Sequence, residues 1–376
     1  VGNLAGLYRR KGDYEQAEAY YKRCLEASER LLGPEHPATL VTVGNLAGLF
    51  QDKGDYEQAE AYYKRCLEAR ERLLGPEHPD TLATVGNLGL LYSNKGDYKQ
   101  AEAYYNRCLE ASERLMGPEH PDTLTTVGNL AGLYRRKGDY EQAEMYYKRC
   151  LEARERLLGQ EHPDTNGTRF GLANLLSDQE RYEESISLRR MELEVAAKRD
   201  GRDAAVTLTS IHHLAQDLCW NDELQESEQL FREALAGRIT ALGDDDGATM
   251  ASRYGLARCL SKQQRYDEAI ELRRIELAWC QANDKVEPAD MLVSMHGVGS
   301  DLLAADQQEE ALDLLQECLK QRQSLLGQTH DDTLTTLARV LDALSAQGQQ
   351  RDAIALSQQA YQAIVEAHGE VQPEAL

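Results

Sequence analysis

The strongest constraint on this chain is a period of 42 residues. The stretch GDYEQAEAYYKRCLEA at 12–27 returns unchanged at 54–69, then as GDYKQAEAYYNRCLEA at 96–111 and GDYEQAEMYYKRCLEA at 138–153. Past residue 160 the likeness drops but the phase holds. Arg181-Tyr182-Glu183-Glu184-Ser185, Arg265-Tyr266-Asp267-Glu268-Ala269, Gln308-Glu309-Glu310-Ala311 and Gln350-Arg351-Asp352-Ala353 all fall in place. Nine units fit without insertion or deletion. A chain of 376 residues would ordinarily form two or three globular domains. Repetition at this period overrides that prior and predicts a stack of small units, each packed on its neighbours.

Each unit reads as two helices. In the second unit, Leu40, Val43, Leu46, Ala47 and Phe50 recur at helical spacing over about 38–53. Pro37 suits a first helical turn, and an acid at the next position, such as Asp80 one repeat on, offsets the helix dipole. Gly54 breaks the chain. A second helix over about 55–74 carries Tyr56, Ala59, Tyr63, Cys66 and Leu67 as its apolar stripe, and Gly75-Pro76 stops it. One pair cannot bury both stripes, whereas stacked pairs can.

The spacing Leu46-Ala47…Phe50…Gly54-Asp55-Tyr56…Ala59…Tyr63…Cys66 resembles the tetratricopeptide repeat. The long form, with GPEHPDTL from Gly75 to Leu82, is similar to the 42-residue repeats of kinesin light chains and to sensor arrays of STAND-type nucleotide-switch proteins. The resemblance covers the whole chain. It implies an all-α, right-handed superhelical α-solenoid of about nine antiparallel helix pairs. It also implies that peptides or protein partners bind in a concave groove lined by the first helices. The coiled coil that joins a light chain to its motor is absent from this sequence.

Two halves are expected within one continuous solenoid. Residues 1–160 hold four near-identical units, and residues 161–376 hold five diverged ones with an 84-residue superperiod. Phe170-Gly171-Leu172-Ala173 corresponds to Tyr254-Gly255-Leu256-Ala257, and Ser210-Ile211-His212-His213 to Ser294-Met295-His296-Gly297. At the junction, Asn166 replaces an expected Leu and Gly167 enters a helix, so a weaker seam is expected there. The opening Val1-Gly2-Asn3-Leu4 matches Val43 to Leu46, and Gly369 to Leu376 matches Gly33 to Leu40. The chain is therefore expected to be a piece of something longer, or a subunit of a larger complex.

A second helical stripe lies beside the core stripe of each first helix, and the resemblance places it on the groove. Units one to four carry Gly2, Gly44, Gly86 and Gly128 there, with Gly6, Gly48 and Gly132 one turn on, a nearly bare wall. The wall is either smooth and unused or shaved to admit a bulky partner. Units five to eight carry Phe170, His212, Tyr254 and His296, then Asn174, Gln216 and Arg258, then Trp220 and Lys262. Aromatic bodies with polar tips beside amides and cations suit a recognition surface, and these nine residues are the candidate partner site. The competing reading packs the rings between neighbouring repeats.

Chemistry is expected to be absent. The sequence has no phosphate-binding glycine loop, no HExxH and no local catalytic triad spacing, so no catalytic, metal or cofactor residue is assigned. Cys24, Cys66, Cys108, Cys150 and Cys318 share one phase. Equivalent positions in successive units should stand about 10 Å apart, beyond the roughly 7 Å a disulfide spans, so they read as small core residues. His36, His78, His120, His162 and His330 share a phase at helix starts and read as caps. Asp244-Asp245-Asp246-Gly247 lacks the alternating ligands of a calcium loop, and Asn166-Gly167-Thr168 reads as an accidental sequon. The net charge of −22 argues against nucleic acid and anionic membranes as partners. No apolar run nears the roughly 20 residues of a membrane span. With reduced cysteines and no visible signal peptide, a cytoplasmic setting is expected.

The sequence thus predicts a non-enzymatic scaffold that binds an extended segment or helix of a partner protein. The partner would bring an apolar anchor, and acidic residues for Arg258 and Lys262. The alternatives are the sensor arm of a larger STAND-type switch protein and an architectural or assembly subunit.

Overall fold

The computed structural model describes residues 2–368, so the phase match of Val1 and of Gly369 to Leu376 lies outside the described residues. Among these residues every regular element is an α-helix, eighteen in all. In chain order they alternate as nine first and nine second helices, as the period requires. The described residues divide into two compact units, the first ending at Arg181 and the second beginning at Tyr182.

The first unit contains α1 (Gly2–Arg10), α2 (Tyr14–Leu32), α3 (Pro37–Asp52), α4 (Tyr56–Leu74), α5 (Pro79–Asn94), α6 (Tyr98–Met116), α7 (Pro121–Lys137), α8 (Tyr140–Leu158) and α9 (Pro163–Asp178). Consecutive helices touch, and first helices α5, α7 and α9 also touch in sequence. The helix starts are written into the repeat. Asp55 caps α4 by accepting from the Gln58 N–H at 3.2 Å. His78 caps α5 with its ring, Nδ1 accepting from the Asp80 N–H at 3.2 Å, and Pro79 supplies the first turn. The same imidazole cap recurs at His36, His120, His162 and His330. Each cap satisfies an N–H that would otherwise lack a partner. The loop before α5 is held by Thr81, whose hydroxyl donates to the Gly75 carbonyl at 2.9 Å.

The expected core stripe is buried: Leu40, Val43, Leu46, Ala47 and Phe50 expose 2% or less. Each such large side chain contributes about 1.5–3 kcal/mol when fully buried. The paired tyrosines divide as their spacing implies. Tyr63, Tyr105 and Tyr147 point inward and are buried, while Tyr62, Tyr104 and Tyr146 stack at the edge on Phe50, Tyr92 and Tyr134. The row of cysteines is reduced and packs as small residues. The Cys66, Cys108 and Cys150 thiols lie against the carbonyls of Leu40, Leu82 and Leu124.

Helix α9 runs unbroken through Gly167. Asn166 is buried and accepts from Arg169 at 3.0 Å, and Arg169, itself buried, also reaches Glu155 at 3.0 Å. The sequon asparagine is thus a core residue, closed to modification while α9 is folded.

The second unit contains α10 (Tyr182–Asp200), α11 (Ala205–Trp220), α12 (Leu224–Leu242), α13 (Gly247–Lys262), α14 (Tyr266–Ala282), α15 (Pro288–Ala304), α16 (Gln308–Leu326), α17 (Asp331–Ala346) and α18 (Gln350–His368). Its core is more polar. At the phase held by inward tyrosines in the first unit stand Arg189 and Arg273. Arg189 is buried against Asp217, and Arg273 against Asp301, an 84-residue repetition of the same ion pair. The acidic run before α13 has structural duties. Asp246 caps the helix, Asp244 pairs with buried Arg253, and the Asp245 carbonyl accepts from the Trp279 indole at 2.7 Å. No helix of the described residues is long and apolar enough to cross a membrane.

Candidate functional site

In the second unit, His212, Gln216 and Trp220 follow one another at one-turn intervals along α11, and Tyr254, Arg258 and Lys262 do so along α13. Helices α11 and α13 touch, which sets the two rows side by side. Four of the six, His212, Gln216, Tyr254 and Arg258, line a single cleft of about 500 Å³. Its far wall comes from α14 and α15, through Glu276, Trp279 and Ser294.

Arg258 dominates the near wall. Its guanidinium carbon lies 4.2 Å from the Trp220 ring centroid and 5.9 Å from that of Tyr254. It makes no ion pair among the described residues, and its Nε is buried without a hydrogen-bond partner. An aromatic face attracts a cation but leaves its N–H groups free to bind an acceptor. Lys262 also lies near Trp220, at 5.4 Å, but its ammonium donates to the Asp222 carboxylate at 2.8 Å and to the Cys219 carbonyl at 2.9 Å. Of the two cations expected to await acidic partner residues, Arg258 alone has no carboxylate. Trp220 braces the pair from the cleft's edge.

His212 brings hydrogen bonding without charge. Its ring meets Phe231 edge-on at 5.4 Å, and Nδ1 is buried without a partner. Burial, reinforced by Arg238, His213 and Arg258, pushes its pKa from 6.5 to about 3. The neutral ring therefore persists at physiological pH. His296 stands apart from the cleft. It lies 3.3 Å from the Thr336 hydroxyl on α17 and 3.4 Å from Ser300. Phe170 and Asn174 are half-buried on α9 of the first unit.

The acidic and aromatic residues of the far wall were not expected at the groove, because the groove stripe runs along the first helices. Glu276 and Trp279 lie on a second helix. The signal was available at Glu276, which occupies the phase that holds cysteine in five other repeats.

In the first unit the glycine stripe is partly covered. A Cβ at Gly44 or Gly86 would meet nothing within 4 Å, but one at Gly48 would lie 2.9 Å from the Arg9 guanidinium. Arg9 is held there by Asp52 at 2.5 Å. A larger cavity, about 1030 Å³, lies between α17 and α18 and is lined chiefly by apolar residues such as Leu334, Leu337, Leu341 and Ile364. In earlier pairs the next first helix covers the corresponding face. The cavity lacks the converging charged groups of the α11–α13 cleft. Among the described residues no cluster of three His, Cys, Asp or Glu could hold a metal ion.

The tetratricopeptide repeat family matches residues 2–72, 41–114, 83–156, 122–198, 203–273 and 290–364. No curated protein matches the chain. Among solved structures, the nearly identical TPR-like repeats of a Podosopora anserina protein, described as a "putative kinesin light chain", are similar at 23% identity and a TM-score of 0.50. That match covers 56% of this chain and 99% of that one. The STAND-type signal transduction ATPase with a tetratricopeptide repeat sensor from Pyrococcus horikoshii is similar at 15% identity and a TM-score of 0.63, over 94% of this chain and 54% of that one. The apo quorum sensor NprR from B. thuringiensis is similar at 14% identity and a TM-score of 0.55, over 91% and 97%. At these identities the likeness is one of fold.

Proposed function

This chain belongs to the tetratricopeptide repeat family, and on that premise we propose that it is a non-enzymatic protein-interaction scaffold whose second unit holds a segment of a partner protein in the cleft between α11, α13 and α15. The observation that carries the reading is the convergence of His212, Gln216, Tyr254 and Arg258 on one cleft, with Arg258 lacking a carboxylate. A cleft with an aromatic wall and a few convergent polar groups is the usual form of a binding site. Clustered aromatic and arginine side chains carry most of the energy of protein interfaces.

The partner segment is extended or helical. It places an apolar side chain against Tyr254 and Met250, and an acceptor, best a carboxylate, on Arg258. The chain's net charge of −22 repels a strongly acidic partner, so the partner acid is isolated. Affinity capture with the intact chain and with a Tyr254→Ala/Arg258→Ala variant tests the reading. Loss of the captured partner with folding unchanged supports it.

The second reading makes the array the sensor arm of a larger nucleotide-switch protein. Its fold likeness to the Pyrococcus horikoshii sensor spans 94% of this chain. A phosphate-binding loop upstream in the full-length coding sequence would support that reading, and the absence of one would remove it.

A further inference from the structure

The far end of the cleft is lined by an acceptor pair that binds an arginine in other repeats. In four repeats an arginine of the second helix reaches forward to the next first helix and donates to the same two acceptors. Arg70 donates to the Asp80 carbonyl at 2.7 Å and to the Thr84 hydroxyl at 2.8 Å. Arg154 does so to the Asp164 carbonyl and Thr168. In the second unit Arg238 reaches the Ala248 carbonyl and Ser252, both at 2.8 Å. Arg322 reaches the Asp332 carbonyl at 2.7 Å and Thr336 at 2.8 Å. The repeat between these last two holds Cys280 at the arginine position. Its acceptors are still there, as the Asp290 carbonyl and the Ser294 hydroxyl, and both residues line the cleft with Cys280.

The same repeat differs from the flanking ones at a second position, by an acid. One turn before Cys280, Glu276 stands where flanking repeats have Ala234 and Cys318. Glu276 is 7% exposed. One of its oxygens accepts from the Ser294 hydroxyl at 2.5 Å, and Oε2 is buried without a partner. The nearby buried cation, Arg273, is bonded to Asp301 at 2.7 Å. A buried carboxylate is costly unless it is paired, and burial here raises its pKa. The arginine position alternates along the chain, with Ser28, Ser112, Ala196 and Cys280 in the repeats between. Beside Cys280 the repeat also carries the acid Glu276, as the Ala196 repeat carries Glu192, and the α11–α13 cleft opens onto this place.

Building on the cleft reading above, we propose that this slot takes the guanidinium of a partner arginine side chain, bound by Glu276, Ser294 and the Asp290 carbonyl where Arg238 and Arg322 sit in the flanking repeats. A planar guanidinium matches this set better than an ammonium, because its fork reaches a carboxylate and a carbonyl together. The partner segment then carries an arginine for Glu276 at one end of the cleft and an acceptor for Arg258 at the other.

The test titrates the intact chain with N-acetylarginine methylamide and with the citrulline analogue, which has the same shape and no charge, and reads the fluorescence of Trp279. Saturable binding of the arginine probe, at least about tenfold tighter than citrulline, is expected. Glu276→Gln should weaken it about tenfold or more, and Cys280→Arg should abolish it by filling the slot from within while raising the melting temperature. Equal binding of the two probes, no saturable binding, or full binding to Cys280→Arg overturns the slot. The partner-capture assay separates the two readings. If Tyr254→Ala/Arg258→Ala loses the partner but Glu276→Gln and Cys280→Arg keep it, the cleft reading stands and the guanidinium slot falls.

Discussion

Arg273 Nε lies 2.7 Å from Asp301 Oδ2, with the two side chains 7% and 8% exposed, and the same guanidinium lies 5.3 Å from the Tyr254 ring centroid. Ser261 donates to the same carboxylate oxygen at 2.9 Å. The buried pair thus links the polar core of the second unit to the wall of its cleft. Removing one member strands a charge, and Asp301→Asn should cost about 3–5 kcal/mol in thermal or urea unfolding. The double variant Arg273→Leu/Asp301→Leu should recover most of that loss. A loss in the double variant equal to the sum of the two single-variant losses would show that the pair is not coupled.

The buried histidines set a pH dependence. Burial lowers His212 to about 3, and His213 and His296 to about 4. Between those values and the unfolded value near 6.5 the unfolded chain binds more protons, so stability is full above about pH 7 and falls as pH drops toward 4. The raised pKa of Glu276 acts in the opposite sense, so the useful quantity is a difference. His212→Gln should flatten the decline measured by urea unfolding between pH 6.5 and 4. An unchanged slope would contradict the assignment.

Gln264 adopts φ +62 at the turn where the near-identical units place glycine, such as Gly54 at φ +77. A left-handed backbone costs a non-glycine residue about 1–2 kcal/mol, offset in part by the greater freedom of glycine in the unfolded chain. Gln264→Gly should raise stability by about 1 kcal/mol, read from the urea midpoint. A lower midpoint would mean that the Gln264 side chain contributes contacts of its own.

Helix α9 carries Gly167 in its first turns, where glycine costs about 1 kcal/mol relative to alanine. Amide exchange over 164–172 should be faster than over the corresponding turns of α5 and α7. Equal rates would show that the buried Asn166–Arg169–Glu155 contacts offset the glycine.

The period and the stripes made the fold legible, because a 42-residue unit with two helical stripes has few ways to bury both. Leu40 to Phe50 and the histidine caps fell where the spacing put them. The site was half legible. Tyr254 and Arg258 declared themselves as large or charged residues in register off the core stripe. Glu276 was legible only by its phase, the one that holds cysteine in five repeats, since an acid in a charged second helix otherwise looks solvated until the fold buries it. The partner of Lys262 was hidden for a related reason: Asp222 sits 40 residues away in sequence, and only stacking of the repeats brings the two together.

The measurement that tests the central claim most directly is the affinity of a captured partner segment for the Tyr254→Ala/Arg258→Ala double variant, taken with the melting temperature of both proteins. The account predicts a loss of about 2 kcal/mol or more in binding, the scale of an interface hot spot, with the melting temperature nearly unchanged. Undiminished binding by a variant that melts well below the parent would contradict it and assign both side chains to the packing of repeats.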